Sequence, residues 1–272
     1  MNYQEEKDEQ TLRLEERMGL IKHKILVMSG KGGVGKTSVA VNLAAGLALR
    51  GYKTGILDTD IHGPNIAKML GVKGSLVGED GAIDPVEALP GLWAVSMAFT
   101  GMGDDDAMIW RGPLKIGVIR QFLADIVWGD LDFLIIDSPP GTGDEPLTVC
   151  QLLPEMDGTI VVTTPQEVAI LDSRKSVTFG RRLSIPILGI VENMSGLVCP
   201  HCGEMIDLFG SGGGERAASD LGVPFLGRIP IDPQAVKDSD AGTPIVIAHR
   251  DSPASRALNL ILDRVEDAVI AA

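Results

Sequence analysis

The residues best suited to chemistry lie in a glycine-rich stretch near the N-terminus. Residues 30–37 read Gly-Lys-Gly-Gly-Val-Gly-Lys-Thr and fit the phosphate-binding pattern G-x-x-x-x-G-K-[ST], between a strand-like apolar run and a helical pattern over Val39–Leu49. The glycines let backbone N–H groups turn towards a triphosphate. Lys36 is expected to reach its β- and γ-phosphates, and Thr37 to ligate Mg²⁺. The residues expected to contact the nucleotide here are Gly30, Lys31, Gly32, Gly33, Val34, Gly35, Lys36, Thr37 and Ser38.

Carboxylates follow two further apolar runs that have the character of strands. Asp137 ends the run Leu134–Ile136, which predicts a Walker-B-type strand whose aspartate helps to hold Mg²⁺. Asp58 and Asp60 follow the run 54–57, and their two-residue spacing places both carboxylates on one side of an extended segment. We predict that Asp60 positions the attacking water and that Asp58 supports the metal. The alternative is that these aspartates are ordinary helix N-caps.

Lys31 adds a second cation to the loop. Both of its neighbours are glycines, so no adjacent side chain buries its stem. Phosphoryl transfer depends mostly on positioning and charge stabilisation, which gives a cation near the β–γ bridge large leverage. Lys31 is able to reach its own nucleotide or one on a facing subunit. The predicted catalytic residues are therefore Lys31, Lys36 and Asp60.

A second candidate site is the Cys-Pro-His-Cys-Gly stretch at 199–203. Cys199 and Cys202 can share one metal centre, but tetrahedral Zn²⁺ or a [4Fe–4S] cluster needs four ligands. Cys150 lies in an apolar helical pattern and is predicted to be a core residue, and His201 to be a spacer. A two-fold axis in a homodimer would supply two more thiolates. The alternatives are a thioredoxin-like redox pair and a structural zinc shared by two subunits.

The composition of the chain limits the classes of binding partner that we expect. The 272-residue chain is 44% hydrophobic and carries a formal net charge of −13, which argues against a nucleic-acid partner because phosphates repel such a surface. No run of 18 apolar residues is present, so no membrane partner is expected. The charged N-terminus lacks a signal-peptide core, so we expect a cytoplasmic protein. In a reducing compartment, cysteines favour metal or redox chemistry over disulfides.

Apolar strand-like runs alternate with helical patterns along the chain. This alternation predicts an α/β fold of the P-loop NTPase type, with a mostly parallel central sheet of 7–8 strands and helices on both faces. Residues 1–20 are predicted to be a polar tail or loose helix, and 21–272 one domain with a metal-binding loop at 195–214. The predicted strands are 24–29, 54–57, 93–97, 132–136, 159–163, 187–192 and 224–228, and the predicted helices are 38–49, 116–127, 145–153, 168–183, 214–221 and 253–271.

Residues 31–37 resemble the deviant Walker A loop of a family of dimeric ATPases that includes MinD, ParA and the nitrogenase iron protein. In that family, the lysine that matches Lys31 crosses a two-fold interface to the partner's nucleotide. The resemblance implies that Asp60 and Asp137 are the switch I and switch II aspartates. It also implies that Asn193 contacts the adenine and that the loop with Pro230 and Ile231 packs beside the base. An asparagine after a strand is otherwise an ordinary turn residue.

One branch of that family, the Mrp/ApbC iron–sulfur cluster carriers, is similar over roughly residues 20–265. The stretches that carry the resemblance are 29–38, 58–65, 110–113, 137–144, 164–166, 192–203, 209–214 and 226–230. The resemblance implies a homodimer that binds and hydrolyses ATP with Mg²⁺, carries a bridging [4Fe–4S] cluster and delivers it to apo iron–sulfur proteins. Zn²⁺ is an expected substitute in aerobically isolated protein.

Two other functions compete with the carrier. One is a MinD/ParA-like positioning ATPase with a structural zinc shared at the dimer interface. The C-terminal segment argues against it, because Arg264 lies among acidic residues and the face is not basic. That segment is predicted to be a docking helix with Leu258, Ile261, Leu262 and Val265 inward. The other is an electron donor like the nitrogenase iron protein, in which each subunit's two cysteines lie far apart in sequence.

Overall fold

The computed structural model describes residues 3–60, 63–79, 82–100, 112–153, 155–199 and 201–270. Several residues in the stretches that carry the resemblance lie outside this part of the chain: Ile61, His62, Trp110, Arg111 and Pro200. The strands are β1 Ile21–Ser29, β2 Thr54–Asp58, β3 Val77–Glu79, β4 Ala82–Asp84, β5 Val86–Leu89, β6 Leu92–Val95, β7 Leu131–Asp137, β8 Gly158–Thr163, β9 Ile187–Glu192, β10 Leu197–Val198, β11 Met205–Ile206 and β12 Phe225–Arg228.

The α-helices are α1 Tyr3–Gly19, α2 Lys36–Leu49, α3 Ile66–Met69, α4 Gly112–Asp125, α5 Asp144–Leu152, α6 Glu167–Arg182, α7 Gly213–Leu221, α8 Pro233–Ala241, α9 Ile245–Ala248 and α10 Pro253–Ile270. A 3₁₀ turn spans Met97–Thr100. In the part of the chain that the structure describes, none of the helices combines the length and the apolar character that a membrane crossing needs.

The central sheet confirms the predicted α/β architecture. Its eight strands follow the order β12-β9-β8-β1-β7-β2-β6-β5, and each pairing is parallel except that of β5 with β6. Every predicted strand overlaps one of these. The antiparallel edge strand β5 was not predicted, because it is only four residues long and its sequence, Val-Glu-Ala-Leu, contains too short an apolar pattern to indicate a strand.

The sheet is buried on both faces. On β1, Ile25 and Val27 belong to the core beneath α2 and α10, whereas Leu26 and Met28 belong to the core beneath α1 and α4. This alternation follows from the two-residue period of a strand, and it explains why the central strands read as continuous aliphatic runs. Because these strands are parallel, their carboxyl ends all lie at one edge of the sheet, together with the loops that follow them.

The N-terminal segment is helical and packs against the domain. Leu14 and Met18 of α1 are buried in the core that α4 also covers. The buried Lys24 on β1 donates hydrogen bonds from its ammonium to the Met18 and Ile21 carbonyl oxygens. Lys24 thereby satisfies the Met18 carbonyl group at the carboxyl end of α1, where a helix lacks its own donors, and the Ile21 carbonyl group at the start of β1. Burial lowers the pKa of this ammonium.

The C-terminal helix confirms the predicted inward face. Leu258, Ile261, Leu262 and Val265 of α10 are all buried. The helix lies against α2 at Gly46, where an added Cβ atom would lie 2.3 Å from Leu262 Cδ1. Glycine in a helix interior is unfavourable by about 1 kcal/mol relative to alanine, so close helix packing must compensate here.

This contact predicts a non-additive pair of substitutions. Leu262→Ala should lower the free energy of unfolding by about 2–5 kcal/mol because it leaves a cavity. Gly46→Ala should be destabilising in the wild-type chain and stabilising in the Leu262→Ala chain, because the new methyl group then occupies that cavity. Urea unfolding of the four proteins measures the coupling, with the exposed Leu260→Ala as control. Additive effects would contradict the proposed contact.

Candidate nucleotide and metal sites

The glycine-rich loop connects β1 to α2 and is shaped by close contacts. Gly33 and Gly35 both have φ near +79°, a left-handed conformation that favours glycine. A Cβ atom on Gly30 would lie 2.2 Å from the Asp172 carbonyl carbon, and one on Gly35 would lie 2.2 Å from Asn193 Nδ2. The loop therefore has no room for side chains at these positions. Its backbone turns sharply enough to direct N–H groups inward at the amino end of α2.

A buried ion pair closes the floor of this loop. The Lys36 ammonium lies 2.5 Å from Asp137 Oδ1, and Thr37 Oγ1 donates to Asp137 Oδ2 at 2.7 Å. Both charged side chains are almost completely buried. Burial raises the pKa of Asp137, although Lys36 and Thr37 both act in the opposite direction. The structure thus brings together the predicted phosphate lysine, the predicted Mg²⁺ threonine and the Walker-B-type aspartate.

Asp58 brings a second carboxylate into the same buried space. It is the register partner of Asp137 across the β2–β7 pairing. It accepts hydrogen bonds from the Asp60 amide and the Ser96 hydroxyl, each at 3.1 Å. Burial, followed by the negative charge of Asp137, raises the pKa of Asp58 to about 8. Two buried carboxylates beside a threonine hydroxyl form the hard oxygen donor set that suits Mg²⁺, and a divalent cation would offset their repulsion.

A cleft of about 420 Å³ opens above this cluster on the phosphate side. It is lined by the loop from Gly32 to Ser38, by Asp60, and by Pro140 at the predicted switch II. Asp60 Oδ1 accepts a hydrogen bond from the Gly63 amide at 3.3 Å. Lys68 of α3 also lines the cleft, a residue that the sequence reasoning missed.

A second cleft of about 390 Å³ continues from the first on the base side. The two clefts share five lining residues, which are Gly35, Ser38, Met69, Ser239 and Asp240. Asn193 lines the base-side cleft and donates from Nδ2 to the Val34 carbonyl oxygen at 2.9 Å. Pro230 and Ile231 form part of the same wall. The joined clefts have the volume and the mixed polar and apolar lining of a small-ligand site.

Lys31 stands apart from both clefts. It is absent from their linings, and its backbone carbonyl accepts a hydrogen bond from Ser29 Oγ at 2.9 Å. Among the described residues, no carboxylate forms an ion pair with its ammonium. The side chain is half-buried. Its predicted role at a nucleotide therefore depends on a rearrangement or on a second subunit.

The cysteine pair lies in the turn of a small β-hairpin. Strands β10 and β11 pair antiparallel. The Cys199 amide donates to the Glu204 carbonyl oxygen at 2.8 Å, and the Gly203 amide to the Cys199 carbonyl oxygen at 2.9 Å. Hydrogen bonds from the Cys202 and His201 backbone N–H groups lower the pKa of the Cys199 thiol. The turn therefore favours a thiolate, which is the metal-binding form of cysteine.

The described part of the chain supplies no further ligand to this pair. Within it, no three His, Cys, Asp or Glu side chains are grouped closely enough to hold a metal ion. Cys202 is exposed and Cys199 half-exposed, so both remain accessible to a second molecule. Cys150 lies in α5 against the core, as predicted, and burial raises its pKa to about 12. Its thiol is therefore neutral and unsuited to binding a metal.

Sequence reasoning missed one residue that links the two sites. Glu192, at the carboxyl end of β9, is completely buried and accepts hydrogen bonds from the Gly212 and Gly214 amides at 2.9 and 2.5 Å. The amino end of α7 is thus already occupied by an internal carboxylate. The available signal was a charged residue at the end of an otherwise apolar run.

The chain is similar to known proteins over nearly its whole length. A family profile described as ParA: NUBPL iron-transfer P-loop NTPase matches residues 20–266. The iron-sulfur cluster carrier protein of Methanocaldococcus jannaschii is 52% identical over 263 residues, which covers 96% of this chain and 90% of the relative. That of Methanococcus maripaludis is 50% identical over 264 residues, which covers 95% of this chain and 91% of the relative.

Solved structures show the same fold. The nucleotide-binding protein from Archaeoglobus fulgidus, in complex with ADP and with cobalt found by PIXE, is 40% identical with a TM-score of 0.76, covering 85% of this chain and 91% of that chain. The cell division ATPase MinD of Pyrococcus furiosus is 25% identical with a TM-score of 0.67, covering 90% and 99%. The resemblance to iron–sulfur cluster carriers is confirmed, and the chain belongs to the NUBPL iron-transfer P-loop NTPase family.

Proposed function

We propose that two copies of this chain hold one [4Fe–4S] cluster between them, bind and hydrolyse ATP, and transfer the cluster to apo iron–sulfur proteins in the cytoplasm. The observation that carries the proposal is the cysteine turn, in which backbone N–H groups lower the pKa of Cys199 and in which the described residues supply only half of a four-sulfur ligand set. The relatives that are 52% and 50% identical are both called iron-sulfur cluster carrier proteins, and these names support an iron–sulfur cluster as the group that is carried. The bound ADP of the Archaeoglobus protein supports the nucleotide.

The proposed nucleotide chemistry begins with an exchange of partners by Lys36. A triphosphate in the loop offers this ammonium more negative charge than Asp137 does. Asp137, Asp58 and Thr37 are then the residues that would hold Mg²⁺, which supplies charge neutralisation at the β- and γ-phosphates when bound. Asp60, at the rim of the phosphate-side cleft, orients the attacking water. Asn193, Pro230 and Ile231 hold the base beside them.

Lys31 is proposed to act across the dimer. Its ammonium has no ion-pair partner among the described residues and is excluded from both cleft linings. A facing subunit's nucleotide would give it one. The Lys31 ammonium would then reach the transferring phosphoryl group only in the dimer. Because the same dimer completes the set of four sulfur ligands, ATP hydrolysis would be linked to cluster binding.

The cluster itself is cargo rather than a resident cofactor. Cys199 and Cys202 of each subunit would each contribute one sulfur ligand, which gives four in the dimer. Because the turn is exposed, an acceptor's thiolates can approach the same iron atoms and replace these ligands in turn. Exposure of this kind favours transfer over long-term retention.

A positioning ATPase with a zinc ion shared by two subunits is the second candidate. It is favoured by the MinD-like fold and by the tetrahedral site that four thiolates would form around zinc. The two candidates predict different iron and sulfide contents for the dimer, and only the carrier is expected to transfer a cluster to an acceptor.

Anaerobic reconstitution with iron and sulfide distinguishes them. We expect about four iron and four sulfide per dimer, with a charge-transfer absorption band, and loss of both in Cys199→Ala and Cys202→Ala. Cys150→Ala is the matched control and should load normally, because its thiol is buried and protonated. Loaded protein should then activate an apo [4Fe–4S] enzyme. One zinc per dimer with no sulfide, or a cluster that an acceptor cannot remove, would favour the alternative.

The two loop lysines should fail in different ways. Lys36→Ala should abolish measurable ATP binding, because the phosphates lose their principal cation and Asp137 is left buried without its partner. Lys31→Ala should bind ATP normally but hydrolyse it about 100-fold or more slowly. Equilibrium titration and phosphate release measure the two effects.

Lys22→Ala is the control for both lysines, because this exposed residue pairs with Asp132 at the other end of β1. Light scattering with ATP should show a dimer for the control and reduced dimerisation for Lys31→Ala. Equal loss of ATP binding in Lys31→Ala and Lys36→Ala would contradict the separate roles.

A further inference from the structure

The base-side cleft takes part of its wall from the segment that carries the cysteines. Phe209, which follows the hairpin strand β11, lines this cleft together with Asn193, Met194 and the loop 229–232. Its side chain is still 43% exposed. A half-exposed aromatic ring in an apolar cleft is a surface on which a purine base can stack.

Backbone hydrogen bonds tie the same cleft wall to the start of the hairpin. The Ser195 amide donates to the Ile229 carbonyl oxygen at 2.9 Å, and the Ile231 amide donates to the Gly196 carbonyl oxygen at 2.7 Å. Leu197, the first residue of β10, forms a parallel bridge with Ile231. Cys199 follows two residues later. The loop beside the base and the strand that leads to the cysteines therefore share one set of hydrogen bonds.

Both ends of the cysteine segment converge on Glu192. Its carboxylate accepts from Ser195 Oγ at 2.6 Å before the hairpin and from the Gly212 and Gly214 amides after it. The next residue, Asn193, donates to the Val34 carbonyl oxygen of the phosphate-binding loop. Ordinary helix capping would need only a local side chain at the amino end of α7. Here the cap comes from 20 residues earlier and closes the whole segment into a loop.

From these contacts we propose that Phe209 is a base-contacting residue of the nucleotide site, and that Glu192 is the positioning residue that transmits its engagement to Cys199 and Cys202. A purine nucleotide in the cleft then holds the cysteine segment through Phe209 on one side and through the loop 229–232 on the other. This inference rests on the proposed nucleotide function and adds the route from the nucleotide to the thiolates.

The test uses the purified full chain after chelation of bound metal. Phe209→Ala should bind ATP about 5- to 100-fold more weakly, the range expected for loss of one aromatic–base contact. Leu208→Ala is the matched control, because Leu208 is a similarly exposed neighbour that does not line the cleft. It should bind ATP as the wild-type chain does.

Inorganic tripolyphosphate separates base contact from a general loss of structure. This probe occupies only the phosphate-binding loop, so wild type and Phe209→Ala should bind it equally. Equal ATP affinity for Phe209→Ala and wild type would overturn the inference, and so would equal weakening of ATP and tripolyphosphate.

Alkylation of Cys199 by iodoacetamide, followed by peptide mass spectrometry, measures the route to the thiolates. A non-hydrolysable ATP analogue should change the Cys199 rate about fivefold or more in the wild-type chain and in Leu208→Ala. The change should be lost in Phe209→Ala at saturating nucleotide. An unchanged nucleotide response there would overturn the coupling.

Glu192→Gln replaces one hydrogen-bond acceptor with a donor that faces backbone N–H groups. It should lose the nucleotide response of Cys199 while its ATP affinity stays within about threefold of wild type, because no phosphate or base contact changes. Ser195→Ala tests the same link with a smaller perturbation. Glu87→Gln is the control, because this exposed carboxylate lies on the edge strand β5, far from β9 in the sheet. A full response in both Glu192→Gln and Ser195→Ala would overturn the positioning role.

The outcomes separate this inference from the proposed function. A wild-type chain that binds ATP and loads a cluster, together with a Phe209→Ala chain that behaves identically, would leave the carrier function intact and remove the inference. A wild-type chain that binds no nucleotide would remove both.

Discussion

The site depends on the buried pair between Lys36 and Asp137. The two residues come from adjacent elements, the helix that follows β1 and the end of β7, so the pair fixes the phosphate-binding loop against the edge of the sheet. Desolvation makes such a pair a poor source of net stability, but loss of one partner leaves an uncompensated buried charge that costs about 3–5 kcal/mol. Asp58, one strand away, increases the local negative charge. The ammonium is thus held in place by carboxylates whose own pKa values are raised by burial, an arrangement ready to accept a stronger anion above it and a metal ion beside it.

Much of this arrangement was accessible from sequence, for a topological reason. The loop 30–37 is a contiguous pattern, and its strand and helix neighbours were recognisable from their periodicity. Asp58 and Asp137 each end an apolar run, and parallel strands bring such ends to one edge even when they are far apart in the chain. Asn193 also follows such a run, but its role was predicted from the family resemblance. The spacing of Cys199 and Cys202 predicted a shared metal centre in a loop. In these cases a local sequence pattern identifies each residue, and the parallel sheet brings the residues together.

The features that escaped prediction depend on contacts with no local pattern. Glu192 receives hydrogen bonds from glycines 20 and 22 residues later, a distance that periodicity cannot register. Phe209 lies in a loop, where an aromatic residue has no predictable direction. Helix α8 was missed for a different reason, since its signal was present: Asp232 caps the helix by accepting from the Gln234 amide, and Pro233 occupies the first turn. Reading Ile229–Asp232 only as a base-side loop hid that start.

The cysteine hairpin combines a turn with well-defined hydrogen bonds and flanking residues that pack only weakly against the core. Its backbone N–H groups stabilise the Cys199 thiolate, yet Met205, Ile206 and Leu208 around it are exposed and add little core packing. A segment with few buried contacts lies at the low end of local stability, so small energies can shift its conformation. A nucleotide can shift the conformational equilibrium of this segment only if it binds the alternative conformations with different affinities. Among the described residues, none that lines the phosphate-side cleft belongs to the hairpin. The base-side cleft differs, because Phe209 lines it and because the hydrogen bonds of Ile229 and Ile231 join its wall to the start of the hairpin. We therefore expect the nucleotide's base, and not its γ-phosphate alone, to report occupancy to the cysteines.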